Sequence, residues 1–199
     1  MRKVLASLKP YYYYLVGEGI KKIEVRKDMP KASDWDNGVL FYMSKDEKSF
    51  AKIPKEFQEK YRKHFGKVGM QFICDKVDEY NFHNGLTEYN SMGLPSRIYG
   101  SYLIFADDYK SMCLSYDEVK NYGKGKTLYG WHISDLKIYD RPRELSDFYR
   151  ECKKPCKPNK GKILCITTKS LKMNGCNGKI PLTRAPQSWQ YIEDLGEEE

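Results

Sequence analysis

Apolar and polar residues change period several times along this chain, and each change marks an element. The run from Lys3 to Leu8 predicts a first strand, and Lys9-Pro10 opens a short helix over Tyr11 to Val16, because proline is tolerated in a first helical turn. Gly17 and Gly19 end that helix. The stretch from Gly19 to Arg26 then reads as a turn glycine followed by a short strand, with Ile23 and Val25 on one face and Lys22, Glu24 and Arg26 on the other. Such a strand seals a core on one side and holds a row of charges on the other.

Further along, Val39 to Met43 predicts a strand and Ser44 to Ser49 a polar turn. Pro54 to His64 carries Phe57 and Tyr61 four apart among many charges, the pattern of a helix lying on the surface. Val68 to Cys74 alternates as a core strand, Asn81 to Ser96 is a polar inserted loop, and Arg97 to Phe105 returns to a strand pattern. Ser115 with Glu118 forms a capping box that opens a helix to Asn121. In Leu128 to Tyr139, Trp131 and Ile133 share one parity and Leu136 and Ile138 the other. A bulge near Ser134-Asp135 brings both pairs to the core. Arg141-Pro142 ends that strand, Glu144 to Tyr149 makes a helical turn or two, Glu151 to Lys162 is a basic loop, and Ile163 to Thr168 is another strand. Bent strands of this kind belong to small barrels. The expectation is a single α+β domain over residues 1–199, a small curved mixed β-barrel with short peripheral helices. It carries insertions at about 81–96 and 151–177 and an acidic tail at 193–199.

Charge changes the picture more than composition does. Lys and Arg outnumber Asp and Glu by 35 to 27, a net +8, and Glu193, Asp194, Glu197, Glu198 and Glu199 gather five of the acids at one end. The rest of the chain is therefore more basic than the net figure, which favours a polyanionic partner such as RNA. Seventeen tyrosines supply rings that bury while keeping a hydroxyl for a partner. Nothing approaches the roughly 18 apolar residues that cross a bilayer, so the chain reads as cytoplasmic with no membrane partner. Reduced cysteines are expected in that compartment. Four of them, Cys152-x3-Cys156-x8-Cys165-x10-Cys176, have the number for a structural zinc but no paired knuckle, and Cys165 sits in an apolar strand where a buried free thiol is ordinary. No other cofactor is expected.

Three motifs in order resemble one family. Ser7-Leu8-Lys9-Pro10, a short helix and Gly19-x-Lys21-x4-Arg26 with an acid at Glu24 form the first. Tyr129-Gly130-Trp131-His132-Ile133 with Leu136-Lys137-Ile138-Tyr139 forms the second, and Arg184-Ala185-Pro186-Gln187-Ser188-Trp189-Gln190-Tyr191 the third. Together they resemble the activating-signal-cointegrator-homology (ASCH) domains of the PUA-like group of small RNA-associated β-barrels, in the versions carried by phages and mobile elements.

The resemblance implies a cleft at the barrel mouth that holds RNA, a nucleotide or a modified nucleoside, lined by Lys9, Lys21, Lys22, Glu24 and Arg26. Tyrosines from Tyr11 to Tyr14, or Trp131, stand ready to stack on a base. Arg26 offers a rigid fork for a phosphate or a base edge and Lys22 a point charge. Some relatives are hydrolases of modified nucleosides or RNA, which would make Lys21 and Glu24 catalytic. Glu24, however, is expected to hold a neighbouring lysine protonated and so oppose that chemistry. His132 reads as a rim histidine satisfied by hydrogen bonds. A third reading is a phage-type protein engaging a host protein–nucleic acid complex.

Overall fold

The computed structural model describes residues 2–31, 38–80, 98–99, 102–103, 106–152, 163–164, 171–172 and 179–194. The loop expected from Asn81 to Ser96, most of the basic loop after Glu151, and Cys156, Cys165 and Cys176 lie outside them. In chain order the elements are β1 (Arg2–Leu8), α1 (Pro10–Gly17), β2 (Ile23–Arg26), β3 (Val39–Met43), α2 (Glu47–Phe50), α3 (Lys55–Arg62), β4 (Val68–Ile73) and β5 (Val77–Tyr80). There follow β6 (Ile98–Tyr99), β7 (Tyr102–Leu103), α4 (Ala106–Met112), α5 (Tyr116–Gly123), β8 (Leu128–His132), β9 (Ser134–Arg143) and a 3-10 turn (Leu145–Asp147). The last strands are β10 (Phe148–Glu151), β11 (Ile163–Leu164), β12 (Leu171–Lys172), β13 (Lys179–Pro181) and β14 (Trp189–Asp194). None of the described helices is long and apolar enough to cross a membrane.

The fold is α+β. A mixed seven-stranded sheet runs β13-β10-β14-β1-β3-β4-β9, and a three-stranded antiparallel sheet runs β2-β8-β5. In the large sheet only β1 and β3 are parallel, and β1 also pairs antiparallel with β14. Buried on both faces, β1 reads as the near-continuous apolar run Val4-Leu5-Ala6 rather than as strict alternation. Val4, Ala6 and Leu8 enter one core with Tyr13, Phe41, Phe72 and Trp131, while Leu5 packs on the opposite face with Leu40, Val68, Phe148 and Ile192. A third cluster of Ile23, Val25, Tyr80, Met112, Val119 and Leu128 fills the space between the small sheet and α4 and α5.

One bent ribbon joins the two sheets. β4 runs on through Cys74 to Lys76 into β5, and β8 runs through Ile133 into β9, so the same two chain segments pair in both sheets. Ile73 faces Ser134 and Val77 faces Trp131, while the register shifts again between Gln71 and Ile73. Asp135 has a φ of 46°, which marks the bulge expected at Ser134-Asp135. That bulge keeps Trp131 fully buried and packs Ile133 and Leu136 against the core, but Ile138 is 38% exposed, contrary to expectation. Ile138 lies on the outer strand β9, where a side chain past the bulge meets no second layer. The same edge position explains why β9 continues through Pro142 to Arg143 rather than stopping before it, since a proline without an N–H is tolerated on an edge.

Other corrections are local. The polar turn expected at Ser44 to Ser49 contains α2, because the Asp46 carboxylate accepts the Ser49 N–H at 3.0 Å and caps a helical turn. Glu193 and Asp194, the first two acids of the expected tail, belong to β14. Asp194 is buried against Lys3 at 3.1 Å and Arg143 at 2.8 Å. The helices α1, α3 and α5 fall where the sequence places them, and Ser115 and Glu118 make the full capping box.

Candidate functional site

The end of α1 sets the site. Ile20 donates its N–H to the Leu15 carbonyl and Gly19 to that of Val16, each at 2.9 Å, which is a Schellman closure with Gly19 at φ 69°. Lys21 donates to the same Leu15 carbonyl, and Lys22 donates to Ser111 at 2.8 Å. Gly17 is fixed by space: a Cβ there would lie 2.2 Å from the Tyr61 hydroxyl. The chain thus leaves the helix with Lys21 turned inward before β2 begins. Within β2, Ile23 and Val25 enter the small-sheet core, and Glu24 and Arg26 face the other way as expected. Lys22 does not join them. It precedes the strand and is exposed, so the buried cation beside Glu24 is Lys21.

These three side chains form a buried chain of charges. Glu24 lies 3.4 Å from the Lys21 Nζ through one oxygen and 3.0 Å from the Arg26 Nη2 through the other. Lys21 also donates to the Met112 carbonyl at 2.5 Å. Arg26 donates to the Ser7 carbonyl at 2.7 Å and to the Ser188 carbonyl at 3.0 Å. Those carbonyls belong to the end of β1 and the residue before β14, so the guanidinium clasps the small sheet to the large one where no backbone pairing does. Its Nε has no partner among the described residues. With relative exposures of 3%, 6% and 5% for Lys21, Glu24 and Arg26, this is no surface ladder. Burial lowers the pKa of Lys21 below that of an ordinary lysine and outweighs the Glu24 carboxylate, which raises it. Glu24 acts in the expected direction, towards the protonated lysine, and burial is the larger influence against it.

Lys21, Glu24 and Arg26 lie on the wall of a cavity of about 490 Å³, within the usual range for small-ligand sites. Lys9 stands exposed at its rim, at the N-cap of α1. Tyr12 lines it from α1, Asn121 and Tyr122 from α5, and Gln187 from the turn before β14. The Tyr12 hydroxyl hydrogen-bonds Glu118, whose carboxylate also accepts from the Ser115 N–H at 2.8 Å. That tie fixes the ring against α5, and burial raises the Tyr12 pKa. Lys27 sits 4.8 Å from the centre of the Tyr122 ring.

Among the expected stacking residues, Tyr12 alone lines this cavity. Tyr13 and Tyr14 are buried in the core, and Tyr11 is half-buried outside the lining. Trp131 is fully buried in the main core, set edge-on to Trp189, and has no face open for stacking. His132 hydrogen-bonds Asp78 at 2.6 Å, the satisfied position expected of it. Asn121 and Tyr122 were not singled out, although the capping box that places their helix was. Of the four late cysteines, Cys152 is the one described, and it is in no disulfide. Among the described residues no three His, Cys, Asp or Glu side chains converge as a metal site.

Fold and cleft define a small α+β protein whose two larger sheets meet beside a cavity with a Lys-Glu-Arg chain on its wall. The chain is similar to the crystal structure of ASCH from Zymomonas mobilis, with 15% identity over 72% of this chain and 73% of that one and a TM-score of 0.41. It is also similar to a single-residue variant of that protein, with 12% identity over 72% and 76% and a TM-score of 0.44. No family model and no curated protein matches it.

Proposed function

We propose that the protein binds RNA, or a nucleotide or modified nucleoside derived from it, in the cleft walled by Lys9, Tyr12, Lys21, Glu24, Arg26 and Tyr122. The observation that carries this reading is the convergence, on one cavity of about 490 Å³, of three basic side chains, two tyrosines and the amides of Asn121 and Gln187. A cavity of that volume takes one nucleotide unit. Tyr12 and Tyr122 offer rings to a base, the amides each carry a donor and an acceptor for a base edge, and Lys9 at the rim meets a phosphate. The net charge of +8 supports the same polarity of partner.

Lys9 is the residue for testing this, because it is exposed and its side chain makes no hydrogen bond or ion pair among the described residues. Lys9→Glu is expected to weaken single-stranded RNA binding and to flatten the log–log salt dependence by about one or more phosphate contacts, with the fold intact. Fluorescence anisotropy at about 50 and 200 mM salt measures this. Absence of RNA or nucleotide binding by the wild-type chain at the lower salt would overturn the reading.

One observation favours a second reading, a hydrolase of modified nucleosides or RNA at this cleft. Lys21 is buried, turned toward neutrality and 3.4 Å from a carboxylate, the arrangement of a nucleophile or base with a proton partner. Lys21→Arg is expected to abolish turnover of a nucleoside panel while retaining ligand affinity. Equal turnover by wild type and variant would exclude Lys21 from the chemistry.

A further inference from the structure

A buried amine on the wall of a ligand-sized cavity, with a carboxylate at hand, is also equipped for carbonyl chemistry. Lys21 is the only buried lysine among the described residues, yet it lines the cavity. Its Nζ is held from one side by the Met112 carbonyl and from another by Glu24, and lies 5.5 Å from the Tyr12 ring centre. The groups facing it are Glu24 and Arg26 from β2, Tyr12 from α1 and Cys113 after α4. Glu24 and Cys113 raise its proton affinity and Arg26 lowers it. Desolvation, the largest influence, lowers it further. An amine so placed loses its proton more readily than a surface lysine, and it faces a cavity that a small carbonyl compound can enter.

We infer that Lys21 forms a Schiff base with the open-chain aldehyde of a sugar, either a free pentose or the base-less sugar of a nucleic acid strand. The amine lone pair adds to the aldehyde carbon, and Glu24 carries one proton from the nitrogen to the oxygen, which gives the carbinolamine. The nitrogen lone pair then expels the hydroxyl, Glu24 carries the second nitrogen proton to it, and it leaves as water, so that one amine and one aldehyde give one imine and one water. The step needs no oxidant, reductant or metal. Lys9 at the rim is placed for the phosphate that flanks a base-less sugar, so the nucleic-acid arm rests on the binding reading above, whereas the free-sugar arm does not.

The test is reductive trapping of the wild-type chain with cyanoborohydride. One arm contains ribose, another a single-stranded oligonucleotide bearing one base-less deoxyribose, and peptide mass mapping locates the adduct. The expected result is a single adduct at Lys21 at pH 7. Trapping should outpace other lysines by the ratio of neutral fractions, about tenfold for each unit that separates their pKa values. Lys21→Met, checked for folding by its thermal transition, should lose the adduct. Trapping by ribose assigns a free sugar, and by the oligonucleotide alone a nucleic acid. Adducts spread over exposed lysines, or none at Lys21 in either arm, overturn the proposal even if the variant fails to fold. Salt-dependent retention of an intact RNA, measured on the same preparation, shows separately whether the binding reading stands.

Discussion

Arg26→Ala lowers the stability of the fold by about 3–5 kcal/mol, the cost of removing one partner from a buried, hydrogen-bonded ion pair. The Arg26 guanidinium satisfies the Ser7 carbonyl, the Ser188 carbonyl and one oxygen of Glu24. Alanine leaves all three without that partner, and it removes the clasp between the two sheets. Arg26→Lys keeps the charge but not the planar fork, so it recovers part of the loss and not the whole. Urea denaturation of the three proteins measures this. A midpoint for Arg26→Ala within error of wild type would show that the clasp is dispensable. The same geometry means that charge reversal at Arg26 reports on folding before it reports on binding, which is why the exposed Lys9 is the better probe of ligand affinity.

Acidification from pH 7 to pH 4 destabilises the protein by roughly 3 kcal/mol through His64 alone. His64 is 1% exposed, its Nδ1 lies 3.1 Å from the Tyr13 hydroxyl, and burial pushes its pKa down to about 4. A folded-state pKa below the unfolded value means that the unfolded chain takes up the proton first. Stability therefore begins to fall below about pH 6.5, the unfolded value, and the loss is complete once pH drops past about 4. Glu18 and Asp78, whose pKa values are held down by Lys60 and Tyr61 and by Lys76 and His132, extend the decline into the carboxylate range. Denaturation midpoints at several pH values test this, with His64→Gln expected to flatten the segment between pH 6.5 and 4. An unchanged slope in that variant would assign the effect elsewhere.

Local chemistry made much of the fold legible in the sequence. The alternation of Ile23 and Val25 against Glu24 and Arg26 needs only strand geometry, the Ser115 to Glu118 cap needs only helix ends, and the bulge at Ser134-Asp135 follows from the change of parity after Ile133. What the sequence could not show was the path of the chain between elements. Lys21 and Lys22 are adjacent lysines, and the Schellman turn at Gly19, not any local preference of either, decides which one is buried. Trp131 looked like a stacking residue because pattern reports that a side chain leaves the solvent without saying whether it meets a core or a cleft. Asn121, Tyr122 and Gln187 reach the cavity through contacts distant in sequence. The lowered proton affinity of Lys21 likewise depends on how deeply the site is closed over, which spacing to Glu24 does not encode.

The clasp also has a temporal side. Arg26 and its anchor at Ser188 stand 162 positions apart in sequence, and β1 draws one of its two partner strands, β14, from the same distant stretch. A nascent chain therefore holds one edge of its central strand uncovered until β14 has been made, and Gln187 reaches the cavity wall only then.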